Sequence, residues 1–339
     1  MKKDFLNCLK CPQTGSDLTL EVTKSDGNEI IEGYLINKDG YKYKITDGLP
    51  DMIYDEVYVG DSVFARNYYT GISETYDEYL HITFDLYKDS PENTRGFMVN
   101  LLELKDTDNV LEVSAGTGKD SEVILPKITK GHLTLLDLTP AMLFKAQKNL
   151  EKFQNVDYVA GTALSLPFPD NYFDKLYCFT GVGHFPDRKR ALKEMARVVK
   201  VGGRVVFSEK NIPLWLRDTT YGKICANNNP MFLQDAPLAD IPVEARNLGI
   251  RWILGNVHYV VDYTVGDGEP TGNFDLEIPG ARGGSFNTRY YGKLEGVTPE
   301  TKKLALQAQQ YTGKSMHKWL DELIKNEAEK ILKEKHALD

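Results

Sequence analysis

Val110-Leu111-Glu112-Val113-Ser114-Ala115-Gly116-Thr117-Gly118 decides the fold. It reads as a buried strand running into a glycine-rich turn, with Lys119-Asp120-Ser121-Glu122-Val123-Ile124 opening a helix behind it. Small residues at 114, 115, 116 and 118 let the backbone pass close to a ligand, and glycine accepts backbone angles that a side chain forbids. A helix N-terminus aimed at that turn offers free N–H groups to a carboxylate or phosphate. Glu112, a carboxylate inside an apolar run, is expected to face a cationic or hydroxyl-bearing ligand. Alone, the turn also fits dinucleotide binding, so its neighbours have to decide.

Those neighbours alternate strand and helix. His132-Leu-Thr-Leu-Leu-Asp137 is a second buried strand ending in an acid, and Pro140-Ala141-Met142-Leu143 begins a helix reaching about Phe153. An acid roughly 20 residues after such a turn is placed to accept ribose hydroxyls, the alternative being an N-cap for the next helix. Val156–Gly161 and Tyr172–Thr180 read as the third and fourth strands, separated by Thr162-Ala163-Leu164-Ser165-Leu166-Pro167-Phe168-Pro169-Asp170. The loop Gly181-Val-Gly-His-Phe-Pro-Asp187 leads to a basic helix over about 188–199. Val201-Gly202-Gly203 then breaks it before strand Arg204–Ser208. Buried strands alternating with helices imply a parallel sheet. Ala245–Leu254 and His258–Val265 read as an antiparallel hairpin that completes seven strands.

The series from 110 to 208 resembles the class I S-adenosylmethionine-dependent methyltransferases, particularly the group containing ubiquinone and menaquinone biosynthesis enzymes. Three pieces carry the resemblance: the strand and glycine turn, Asp137-Leu-Thr-Pro-Ala-Met-Leu143, and the run from Leu166-Pro-Phe-Pro-Asp170 to Gly202-Gly203-Arg204. It implies a Rossmann-like α/β fold and S-adenosyl-L-methionine as cofactor. By position, Glu112, Ser114, Ala115, Gly116, Thr117 and Gly118 would face its methionine part. Asp137 would hold the ribose, Leu138 and Met142 would flank the adenine, and Thr162 and Ala163 would meet the adenine edge. Phe179 would lie beside the sulfonium. Two positions depart from the pattern: Ser114 replaces the first turn glycine, and Thr162 stands where an acid commonly precedes Ala163.

The remaining segments are read from composition and pattern. Residues 1–55 form a small β-rich module similar to the zinc-ribbon-like modules that precede some methyltransferase domains. Cys8 and Cys11 supply half a ligand set, but Asn37 and Gly40 occupy the places of the second pair, so no metal is expected. Residues 56–103 read as tyrosine-rich helices capping the core, with Tyr69 and Tyr76 reaching the pocket. The core spans 104–265, with an insertion at 210–244 whose Trp215, Tyr221, Cys225 and Asn227–Pro230 turn would cover the acceptor. His184 is the candidate base if the acceptor must lose a proton. In 266–339, Arg282, Arg289, Tyr290 and Tyr291 read either as a surface loop or as a grip on an acidic or aromatic acceptor. A helical pair from Pro299 to about Lys335 would pack on the core or form a homodimer.

The 339 residues carry a net charge of -8 with no long run of one sign, which disfavours nucleic acid as partner. No stretch approaches the roughly 20 apolar residues of a membrane span. Four cysteines and no apolar leader make the cytoplasm the expected compartment. The resulting expectation is methyl transfer to a small-molecule acceptor, with an RNA methyltransferase, a non-catalytic cofactor-binding protein and a dehydrogenase as alternatives.

Overall fold

The computed structural model describes residues 1–58, 60–276, 278–279, 285–291 and 297–336. They fall into two compact units, Met1–Pro270 and Thr271–Asp339. The first is built on one sheet whose strands are β1 (Leu18–Asp26), β2 (Glu29–Asn37), β3 (Lys42–Thr46), β4 (Leu49–Asp51), β5 (Asn109–Val113), β6 (His132–Asp137), β7 (Val156–Ala160), β8 (Phe173–Phe179), β9 (Val199–Lys210), β10 (Ala245–Ile253) and β11 (His258–Val265). Their spatial order is β1-β2-β3-β4-β7-β6-β5-β8-β9-β11-β10.

The stretch β7-β6-β5-β8-β9 is parallel, and β11 and β10 close that side antiparallel. The expected sheet had seven strands; the observed one has eleven, because the N-terminal module adds its own four. The junction is β4, which lies parallel to β7 with Asp51 opposite Ala160, and the Met52 N–H donates to the Ala160 carbonyl at 2.9 Å. Without it, β7 would be a bare edge.

Alternation along the strands sorts side chains onto two buried faces. Leu111, Val113, Leu176, Val205 and Phe207 pack with Leu192 and Met195 of a helix at Arg188–Val198 and with Leu35 and Ile45 of the module. Val110, Leu133, Leu135, Tyr177 and Val206 pack on the other face with Met98, Val99 and Leu102, and with Leu143 and Ala146.

In chain order the helices of this unit are α1 (Asp61–Ile72), α2 (Tyr76–Leu86), α3 (Pro91–Leu101), α4 (Ser121–Ile124), α5 (Pro140–Asn149), α6 (Arg188–Val198) and α7 (Thr220–Asn228). Ser90 caps α3 by accepting from the Asn93 N–H, with Pro91 in the first turn. The helix expected from Lys119 is a single turn, since Pro126 closes it into a tighter 3-10 turn over Leu125–Lys127.

In the module, Asn37 centres a polar network. Its amide donates to Cys11 Sγ (3.5 Å), Thr14 Oγ1 (3.2 Å), Ser16 Oγ (3.2 Å) and Asp39 Oδ2 (3.1 Å). Burial pushes the Cys8 thiol up to about 12, which keeps it protonated. No group of three or more metal-ligating residues is present among the described residues.

The second unit holds α8 (Phe286–Tyr291), α9 (Pro299–Thr312) and α10 (Met316–His336). Thr298 caps α9 through the Thr301 N–H, and Gly313 ends it at φ 64°. Arg282, singled out above, lies outside the described residues, as do the side chains of Arg289 and Tyr291. No described helix is long and apolar enough to cross a membrane.

Candidate functional site

Chain order reverses between β5 and β8, so the connections leaving their carboxyl ends diverge and open a crevice. A cavity lies there. Its wall takes residues from the carboxyl end of every parallel strand of the core: Val113–Thr117 after β5, Leu136–Thr139 after β6, Gly161–Ala163 after β7, Phe179–Gly181 after β8, and Lys210 closing β9.

The glycine turn is set by Ser114, Gly116 and Gly118, all left-handed at φ 57°, 55° and 79°. Ser114 tolerates that angle where the resembled family has glycine, and its side chain has an identifiable berth. A Cβ on Gly181 would fall 2.3 Å from Ser114 Oγ and 2.7 Å from Ser114 Cβ, so the serine occupies space that residue 181 leaves empty.

Asp137 ties the turn to β6. Its Oδ2 accepts the Gly116 N–H and its Oδ1 the Thr139 N–H, both at 2.8 Å. Burial pushes its carboxyl upward, and these N–H groups oppose that shift. Asp137 itself lines the cavity wall. Leu138 and Met142 line the wall beside it. Thr162 lines it too, but its Oγ1 accepts the Leu164 N–H at 3.2 Å and so braces its own turn.

Below the turn lies a charged cluster. Asp120 accepts Tyr177 Oη at 2.8 Å and is paired with Arg95 of α3. The Arg95 guanidinium stands 5.6 Å from the Phe84 ring centre and 5.4 Å from that of Phe179. Glu112 sits in this layer and not on the cavity wall. Its carboxylate meets the Ser121 hydroxyl at 2.5 Å, and burial, with the Asp120 charge adding to it, pushes its carboxyl well above the usual range. Gly118 is likewise behind the wall, while the other residues named for the cofactor, and His184, line it: Tyr69, Ser114, Ala115, Gly116, Thr117, Asp137, Leu138, Met142, Thr162, Ala163 and Phe179.

The cover comes from α1 and α2, which contribute Ser62, Ala65, Tyr69, Tyr76, Leu80, Thr83 and Phe84. Tyr69 meets Tyr76 and His184 edge-on at 6.0 and 6.3 Å. Burial pushes the Tyr76 phenol up to about 12, so it remains a hydroxyl at neutral pH. Asp77 latches α2 to the glycine turn, accepting Thr117 Oγ1 (2.5 Å) and Asn149 Nδ2 (3.0 Å), with Lys119 Nζ at 3.7 Å.

The insertion does not supply the cover expected of it. Trp215 is 63 % exposed and packs on Trp252 (5.2 Å). Cys225 lies in a separate apolar cluster with Phe84, Ile212, Phe232, Leu254 and Val257.

Sequence reasoning missed Arg95, Asp77, Asp120, Lys210 and His258. Arg95 carried a signal: it falls at a core position of α3, in step with the buried Met98, Val99 and Leu102. A lone Arg on such a face needs a buried partner.

Residues 111–207 match the family described as methyltransferase domain. A demethylmenaquinone methyltransferase of Listeria welshimeri is 31 % identical over 162 residues, covering 42 % of this chain and 69 % of the relative. One from Bacillus licheniformis is 37 % identical over 117 residues, 34 % of this chain and 50 % of the relative. Among solved structures, a SAM-dependent methyltransferase from Aquifex aeolicus aligns at a TM-score of 0.39 and 18 % identity, covering 54 % of this chain and 98 % of that one.

Proposed function

The chain belongs to the class I S-adenosylmethionine-dependent methyltransferases, and from that premise we propose that it methylates a small-molecule acceptor by in-line displacement. The relatives named above are demethylmenaquinone methyltransferases, which makes a quinol the first acceptor class to try. The bound cofactor supplies a methyl group already activated on a sulfonium.

The residues present fit that cofactor. Asp137, in the cavity wall, takes the ribose hydroxyls. Leu138 and Met142 flank the adenine, whose edge meets Thr162 and the Ala163 N–H. The backbone of 114–118, two of whose residues are glycines in left-handed conformation, accepts the methionine part at close range. Glu112 acts from below, holding Ser121 at the start of α4. Phe179 and Tyr69 offer ring faces and edges suited to a soft cation. The protein's contribution is alignment, which accounts for about 7–11 kcal/mol of a displacement barrier. The α1–α2 cover excludes water from it. His184, at the wall beside Tyr69, would take a proton from an acceptor that must lose one.

The observation that carries this reading is Asp137, held in the cavity wall at the end of β6 with the glycine turn bonded to one of its oxygens. Calorimetric titration with S-adenosylmethionine and S-adenosylhomocysteine tests it. Wild type should bind both, and Asp137→Ala should weaken binding by about 2 kcal/mol, the worth of hydrogen bonds to a charged group. No binding to wild type overturns the reading.

A further inference from the structure

The cavity wall also includes Phe84, Phe185, Lys210 and His258, which the cofactor assignment leaves unused, together with Phe179 and His184. His258 opens β11 directly opposite Lys210, the last residue of β9. Its ring is 1 % exposed and lies 6.0 Å from the Phe179 ring at a 30° tilt. Its Nδ1 is buried without any hydrogen-bond partner.

A buried polar atom left unpaired is costly, and native proteins retain few of them. The charged groups nearby do not relieve this one. Glu209 is committed elsewhere: its Oε2 accepts the Gly183 N–H at 2.9 Å, and its Oε1 accepts the Lys210 N–H at 2.8 Å. The Lys210 ammonium, 3.8 Å from Glu209 Oε1, is a cation and offers the ring no acceptor. An unpaired imidazole in a cavity wall points to a partner that arrives with the ligand.

We propose that His258 is a specificity-determining residue, hydrogen-bonding a hydroxyl of the methyl acceptor as it stacks along Phe179, with Lys210 stabilising negative charge on that oxygen. The proposal rests on the methyl-transfer reading above. A neutral imidazole presents one N–H and one lone pair. A hydroxyl, being both donor and acceptor, satisfies the ring in either tautomer. Burial, with Lys210 adding to it, holds the imidazole's pKa down at about 3, so the ring is neutral through the physiological range. The Phe179 ring beside it, with Phe84 and Phe185 in the same wall, matches a flat acceptor body. An acceptor lacking a hydroxyl leaves His258 unpaired, and that penalty gives the site its discrimination.

The test uses the full chain saturated with S-adenosylhomocysteine and two probes, 2-naphthol and 2-methoxynaphthalene, titrated calorimetrically. Wild type should prefer 2-naphthol by about tenfold or more, the scale of one buried hydrogen bond. His258→Phe should abolish that preference while leaving S-adenosylhomocysteine affinity within about twofold. His258→Asn, which restores a donor and an acceptor, should recover part of it.

Should the Phe variant not fold, nitrogen-15 NMR of the wild-type histidines gives the same decision. The His258 ring resonances should move with 2-naphthol and stay in place with 2-methoxynaphthalene. Equal binding of the two probes, binding of neither, or a preference that survives in His258→Phe overturns the proposal. Absence of S-adenosylhomocysteine binding in wild type instead overturns the methyl-transfer reading beneath it.

Discussion

Substitution of Gly181 by alanine should damage the cofactor cradle through Ser114, and Ser114→Gly should repair it. The added Cβ would stand 2.3 Å from Ser114 Oγ, 2.7 Å from Ser114 Cβ and 3.3 Å from Cys178 Sγ. Carbon contacts settle at about 3.5–4.0 Å, so the two closest atoms must move by about 0.8 Å or more. Gly181 lies outside the left-handed region, at φ −171° and ψ −33°, so the clash rests on space and not on a left-handed backbone. Overpacking of this kind costs about 1–3 kcal/mol. Here the strain falls on the turn that Gly116 anchors to Asp137, so S-adenosylhomocysteine affinity should drop by about tenfold to a hundredfold.

Ser114→Gly alone relieves a left-handed side-chain residue, worth about 1–2 kcal/mol. It loses about 0.5–1 kcal/mol to the greater freedom of glycine in the unfolded chain. That variant should therefore stay within about 1 kcal/mol of wild type. The double variant removes the two close approaches and leaves only the Cys178 contact, so it should recover most of the lost affinity. Urea unfolding and S-adenosylhomocysteine calorimetry on the four proteins give the coupling energy. A coupling below about 0.5 kcal/mol, the level at which independent sites add, would refute the steric reasoning.

Two further outcomes follow from the charged layer under the turn. Arg95→Met leaves Asp120 buried with only the Tyr177 hydroxyl, and breaking a buried pair from one side should cost about 3–5 kcal/mol in urea unfolding; a loss below about 1 kcal/mol would mean the pair is not held. Glu112 has a folded pKa raised above its unfolded value, so the native state binds the extra proton. Its contribution to stability is full below the ordinary carboxyl range and is lost as pH rises through the folded value. Glu112→Gln removes that titration, so the variant should gain stability relative to wild type as pH rises from about 5 to 8, the window above an ordinary glutamate pKa. Its S-adenosylhomocysteine affinity should be unchanged, because the carboxylate lies behind the cavity wall; a large loss of affinity would put Glu112 in direct contact with the ligand.

The strand–turn–strand order was legible because each step is local. Buried runs such as Val110–Val113 and Leu133–Leu136 announce parallel strands, and an acid ending the second one lands beside the turn by spacing alone. The edge of the sheet was not legible. Leu49-Pro50-Asp51 is too short to read as a strand, and its pairing with Ala160 joins segments about a hundred residues apart. Only the share of the cover given to the insertion was misplaced, for a related reason. Trp215 and Tyr221 look like lid residues by composition, yet what selects a lid is a latch, and Asp77 finds Thr117 only after β5 and α2 are both in place.

Glu112 shows where a local rule was available and would have sufficed. Side chains alternate along a strand, so Glu112 shares a face with Val110 and lies opposite Leu111 and Val113. Val110 packs with Met98 and Val99 of α3, which puts the Glu112 carboxylate in the α3 layer with Arg95. Its odd position in an apolar run is thus answered by a buried cation and the Ser121 hydroxyl from neighbouring elements. The ligand is recognised one layer above, by backbone N–H groups and Asp137, on a turn that this buried layer supports.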